Sequence, residues 1–178
     1  MSSRYIMVDV ETDGPIPGDY SMIAIGAVVV EPGLSRGFKR YVRPLPGAGF
    51  EPEALAVGNF TREETLDEPR FEPPFNVMKD LADWLADLGI GKPIFIADNN
   101  GFDWSFVNWY FHHFLKRNPF GFSSQNLNSL YKGLTRDAFA SFKHLRRTKH
   151  DHDPLNDAMG NAEALVHMVN EMGLKAPL

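Results

Sequence analysis

Three strand-like segments follow one another near the start of this chain with only short connections between them. Residues 5–10 are apolar and rich in strand formers. Residues 21–31, Ser-Met-Ile-Ala-Ile-Gly-Ala-Val-Val-Val-Glu, form a nearly continuous apolar run that reads as a largely buried strand, and residues 37–43 alternate well enough to be a third. Two prolines and two glycines in residues 14–20 mark the turn between the first pair. Three such strands so closely joined predict an antiparallel meander. Helical patterning then takes over. Residues 44–72 read as a loop with a short helical piece around 51–57. After Pro73-Pro74, residues Val77, Met78, Leu81, Trp84, Leu85 and Leu88 share one helical face that ends at Gly89. Residues 93–97 read as a buried strand, about 103–116 as a helix, and 120–128 as an ambiguous stretch that has room for a last strand. In residues 154–172, Pro154 suits a first helical turn, Asp153 can cap it and Gly173 ends it. The order predicts a mixed sheet covered by helices, in one domain over residues 1–178.

Composition narrows the chemistry. The absence of cysteine excludes disulfides, thiolate metal sites and cysteine nucleophiles. No apolar run approaches the roughly 20 residues that span a bilayer, so no membrane partner is expected. No signal-peptide pattern opens the chain, and the expected location is cytoplasmic. A net charge of −5 hides local pattern. Lys143, Arg146, Arg147 and Lys149 cluster with His144 and His150 between them, and local positive charge of this kind attracts phosphate. The same cluster also reads as a solvated basic loop.

Polar residues interrupt this pattern at three places. Asp9 and Glu11 stand two apart on the first strand, so they share a face. Adjacent carboxylates repel unless a cation lies between them or one is protonated, and hard oxygen donors suit Mg²⁺ or Mn²⁺. One of the pair at a solvated strand end is the alternative. Asp103 follows a buried strand at a helix start, where open α/β sheets place their sites, although aspartate also caps helices there. His152 and Asp157 bracket the start of the last helix. A histidine with a near-neutral pKa can take a proton from a metal-bound water, and a surface histidine in a basic loop is the plainer reading.

Together these stretches resemble the DEDDh branch of the DEDD 3′-to-5′ exonuclease superfamily, the group of the polymerase III proofreading subunit, ribonuclease T and oligoribonuclease. Asp9-Val10-Glu11-Thr12-Asp13-Gly14 is similar to its first motif, and residues 23–28 to the strand that follows. Pro52-Glu53-Ala54-Leu55 with Phe60-Thr61 resembles its loop after the third strand. Asn99-Asn100-Gly101-Phe102-Asp103 matches the second motif, and His152 with Asp157 the third. The branch with tyrosine has it four residues before the last aspartate, where this chain has Asp153. Asp98 stands where the family often has His, Ala24 where it often has Glu, and Pro154 where it often has Ala.

The resemblance implies a ribonuclease H-like α/β fold with a five-stranded mixed sheet flanked by helices. It implies that Asp9, Glu11, Asp103 and Asp157 hold two divalent cations, Mg²⁺ or Mn²⁺, and that His152, rather than the nearby His150, is the general base. The implied substrate is the 3′ end of single-stranded DNA or RNA, cut to nucleoside 5′-monophosphates. Thr12 is a candidate contact to the terminal ribose, Phe60 and Trp104 for base stacking, and Arg146, Arg147 and Lys149 for phosphate. Phe102 is expected in the core, and His112 and His113 in packing or at the surface. Some relatives are dimers, which leaves a homodimer open. A catalytically weak nucleic-acid-binding module and an endonuclease on the same fold are the alternatives.

Overall fold

The structure is a computed structural model that describes residues 2–66 and 69–178. Asp67 and Glu68, inside the expected loop 44–72, lie outside the described residues. A mixed sheet is built from β1 (Arg4–Thr12), β2 (Met22–Val29), β3 (Gly37–Val42), β4 (Phe71–Glu72), β5 (Pro93–Ala97) and β6 (Ser124–Asn126), in the order β4-β3-β2-β1-β5-β6. The first three strands form the antiparallel meander, and β4, β5 and β6 each join parallel to a neighbour. The sheet has six strands rather than the expected five. Phe71, buried among aromatic rings, pins a two-residue strand beside Tyr41 at the edge, too short to leave a periodic signal.

The helices are α1 (Pro52–Val57), α2 (Pro74–Asp87), α3 (Asn100–Tyr110), α4 (Leu127–Thr135) and α5 (Pro154–Glu171). Helix α3 starts three residues earlier than expected and continues as a wider turn over Phe111–Leu115, ending at left-handed Lys116. Trp109 stacks on His113 there, with ring centroids 4.3 Å apart. Sequence patterning missed α4, which is short and contains Gly133. Its N-cap Asn126 accepts a hydrogen bond from Ser129 N at 2.6 Å.

Strand alternation divides the core. Ile6, Val8 and Val10 face α2 and α3, among Val77, Leu81, Phe106 and Tyr110. Tyr5 and Met7 face α4 and α5, among Leu127, Ala158, Ala162 and Leu165. Every residue of β2 is buried, as its apolar run predicts. The row that starts with Tyr5 and Met7 continues with Asp9 and Glu11. The α5 face of β1 therefore changes from apolar to acidic at the carboxyl end of the strand, beside the first turn of α5. Gly26 makes that approach possible. It pairs with Asp9 across the ladder, and a Cβ there would overlap the Pro154 backbone. Among the described residues no helix is long and apolar enough to cross a membrane.

Candidate active site

The three sequence stretches meet at this end of the sheet. Asp9 and Glu11 are held by β1, which is paired with β2 on one side and with β5 along its first half on the other. A ladder irregularity falls between Glu11 and Thr12, where the strand ends. Asp157 comes from the first turn of α5. Asp153 caps that helix, accepting hydrogen bonds from Leu155 N at 3.1 Å and Asn156 N at 3.3 Å, an arrangement worth about 1 kcal/mol. Lys39 on β3 forms an ion pair with the same Asp153. Asp9, Glu11 and Asp157 each present an oxygen within 4.8 Å of the others. Asp103 is buried in the first turn of α3 and accepts a hydrogen bond from Val10 N at 3.2 Å. It does not cap that helix, because the cap position is Asn99.

Burial and mutual repulsion show in the proton affinities. Burial, then the charges of Asp157, Asp103 and Asp153, push Glu11 up to about 8. Burial holds Asp103 at about 7, against the lowering effect of its backbone hydrogen bonds, and Asp98 adds to the rise. Asp9 is raised well above the carboxylate range by burial and by Asp103, Glu11 and Asp157, with only Arg146 opposing. The departure at Asp98 thus does add negative charge beside the site. Carboxylates crowded until they retain protons are a good receptor for divalent cations.

Cationic side chains already approach Asp157. Arg146 donates to its Oδ1 at 2.8 Å, with the guanidinium side chain 9% exposed and the carboxylate 1%. His150 Nδ1 lies 2.7 Å from Oδ2 as an ion-pair contact, and Oδ2 is buried with no hydrogen bond to it. A buried, under-satisfied carboxylate oxygen among other carboxylates fits a cation site. His152 is half-buried, with a left-handed backbone (φ 59°), its ring centroid 4.3 Å from that of His150.

The candidate substrate contacts divide. Thr12 ends β1, its hydroxyl donating to Gly14 O at 2.9 Å. Phe60 packs against Tyr41 and Phe71 while lining a cleft of about 220 Å³ that also holds His152 and Arg70. Lys149 is exposed three residues before His152. Trp104 packs edge-on against Phe95 at 5.0 Å, on the α2/α3 side of the sheet, and Phe102 also packs there. Arg146 is spent on Asp157 instead of standing free for phosphate. Arg147 turns away to a cavity of about 330 Å³ on α5 with Met159, Glu163 and His167. Sequence reasoning missed Arg70, whose guanidinium lies 4.6 Å from the Tyr41 ring centroid at the cleft. It lies in an acidic loop that also holds Arg62, and no spacing signals it.

Comparison with known proteins gives this geometry a lineage. The sequence model of the family described as Exonuclease (RNase_T) matches residues 6–165. The chain belongs to the exonuclease family. The chain is 36% identical to the 3′-5′ DNA exonuclease Cap18 of Escherichia coli, an alignment that covers 98% of this chain and 95% of that protein. It is 28% identical to Ribonuclease T of Salmonella typhimurium (strain LT2), over 73% of this chain and 66% of the relative. The nuclease domain of 3′hExo, a DEDDh family member solved bound to rAMP, superposes with a TM-score of 0.74 at 16% identity, covering 98% of this chain and 96% of that one. That likeness concerns the fold, which is ribonuclease H-like. As a member of the exonuclease family this chain is a hydrolase.

Proposed function

We propose that this exonuclease depends on divalent cations and removes nucleotides from the 3′ end of single-stranded DNA or RNA, releasing nucleoside 5′-monophosphates. The observation that carries the reading is the convergence of Asp9, Glu11 and Asp157 within 4.8 Å, with His152 beside them. Asp9, Glu11, Asp103 and Asp157 would hold two ions, Mg²⁺ or Mn²⁺. When bound, such ions acidify the attacking water and neutralise charge on the leaving 3′ oxygen.

The remaining roles belong to the chain. His152 accepts the proton of the attacking water, which a half-buried imidazole at the mouth of the cleft is placed to do. Asp153 fixes the start of α5 and with it Asp157. Thr12, at the end of β1, is the candidate contact to the terminal ribose, and Phe60, although buried against Tyr41 and Phe71, lines the cleft that would take its base. Arg70, stacked beside Tyr41 at the cleft, and exposed Lys149 are the cations offered to phosphate. Cap18 is named for DNA and Ribonuclease T for RNA, so both sugars stay within the reading.

One observation favours a second reading, a catalytically weak binding module. The Arg146 guanidinium occupies an oxygen of Asp157 that a cation would use. Single-stranded DNA and RNA labelled at the 5′ end, incubated with Mg²⁺, Mn²⁺ or EDTA, separate the two. The exonuclease reading expects a ladder shortening from the 3′ end only with metal, and an intact circular substrate. Binding without turnover by folded, metal-loaded protein would support the module, and cleaved circles would make the protein an endonuclease.

A further inference from the structure

Two different donor sets share Asp157. One is all oxygen: Asp9, Glu11 and Asp157. The other is His150, His152 and Asp157, and its three ligand atoms also lie within 4.8 Å of one another. The chemistry of the two sets differs. Carboxylates alone suit Mg²⁺ and Mn²⁺, whereas two imidazoles and one carboxylate suit Zn²⁺ and its neighbours Co²⁺ and Ni²⁺.

The local structure gathers the second set. His152 has φ 59°, uncommon for a residue with a Cβ, and its ring meets that of His150 at 4.3 Å and 64°. Asp151 between them is committed elsewhere, accepting from Asp153 N at 3.1 Å and Asn156 Nδ2 at 2.9 Å. Asp157 Oδ2, 2.7 Å from His150 Nδ1, is buried with no hydrogen-bond partner. Arg146 takes only Oδ1. A buried carboxylate oxygen with two imidazole nitrogens within 4.8 Å is a donor set that one cation can bridge.

We propose that His150, His152 and Asp157 form a second metal site, specific for borderline transition metals of the Zn²⁺ class, and that filling it silences the exonuclease. The ion would draw off the proton acceptor His152 and a carboxylate that the hard-cation site needs. His150 is the one member with no role in the proposed catalysis. Zn²⁺ competes well against abundant Mg²⁺ here because nitrogen donors favour it. Silencing rests on the function proposed above; ion binding rests on the geometry alone.

The test is Zn²⁺ binding to the full chain in saturating Mg²⁺, read by competition with a chromophoric chelator, for wild type, His150→Ala and Glu11→Gln. His150 is 54% exposed, so its removal leaves the fold intact, and a melting curve checks this. His150→Ala should weaken Zn²⁺ binding at least about tenfold, no less than loss of an outer-shell partner does, while Glu11→Gln leaves it as tight or tighter, because Mg²⁺ then competes less well for Asp157. Ring signals of two of the six histidines should shift as Zn²⁺ is added. Zn²⁺ inhibition, with each variant set against its own zinc-free rate, should fall in parallel with binding to His150→Ala. Unchanged affinity in His150→Ala, or an equal loss in Glu11→Gln, would overturn the site. Zn²⁺ bound through His150 without inhibition would overturn the silencing. A chain inactive in Mg²⁺ that still loses Zn²⁺ with His150→Ala would sink the catalytic reading and leave the metal site standing.

Discussion

Asp9 and Glu11 sit on β1, hydrogen-bonded into the middle of the sheet, whereas His150 and His152 sit in residues 146–153, a segment in no strand or regular helix. The strand aims its carboxylates by alternation alone and tolerates their repulsion because neighbouring strands fix the backbone. The segment depends on a few side-chain clamps. Glu163 on α5 accepts from Arg147 N and Thr148 N, each at 2.8 Å, and from Thr148 Oγ1 at 3.0 Å. Asp153 and Lys39 hold its other end. One half of the site is thus preorganised by the sheet, and the other is adjustable. A proton acceptor that must meet substrate can sit on the irregular segment, while the carboxylates of the hard-cation set sit on regular elements.

Removing a strand carboxylate should break the site chemically and leave the fold intact. Asp9→Ala is expected to drop cleavage to the level of EDTA-treated wild type. Its metal-free melting temperature should be unchanged or higher, since three repelling neighbours lose their partner. A folded variant with wild-type turnover would defeat the assignment. On the adjustable side, His152→Ala should slow kcat by roughly 10²-fold or more, the size of a general-base effect, with metal affinity in Mg²⁺ retained. If His150→Ala lost the rate and His152→Ala kept it, the proton acceptor would be His150.

A third expectation concerns pH and the strand half alone. Glu11 at about 8 and Asp103 at about 7 lie above ordinary carboxylate values. Raised groups stabilise the metal-free fold at low pH, and that stability is lost as pH rises through 7 to 8. A divalent cation replaces those protons, so its affinity climbs over the same window. The rise in melting temperature on adding Mg²⁺ should therefore be larger at about pH 9 than at about pH 6. An equal rise at both would mean that these carboxylates do not hold the ion. The smallest effect belongs to the clamp. Glu163→Ala should cost about 0.5–1.5 kcal/mol, since the amides it frees are exposed or part-buried and reach water, and speed proteolysis within 146–153. Its rate loss should be smaller than that of His152→Ala.

The same contrast explains what could be read in the sequence. Asp9 and Glu11 were legible because period two fixes their face, and Asp157 because Asp153 and Pro154 announce the start of α5. The apolar face of α2 was legible too: Val77, Met78, Leu81 and Leu85 are all buried. Side chains in the irregular segment were not. Adjacent arginines point in opposite directions, Arg146 into Asp157 and Arg147 out to the cavity on α5, and nothing in their spacing separates them. Gly160 admits Arg146, since a Cβ there would meet its Nε at 2.5 Å. That contact spans fourteen residues of sequence and leaves no local pattern. Helix α4 was hidden for another reason: its nine residues include a glycine and a threonine, and packing of Leu127 and Tyr131 decides it rather than propensity.

On the proposed function, the carboxylates converging from β1, α3 and α5 would hold the cations that do the chemistry. Crystals of the wild-type chain soaked in Mn²⁺ and measured at the manganese absorption edge test this most directly. Anomalous peaks are expected among Asp9, Glu11, Asp103 and Asp157, and none in Asp9→Ala crystals. No peak there in wild type, with the Arg146–Asp157 ion pair still closed, would contradict it.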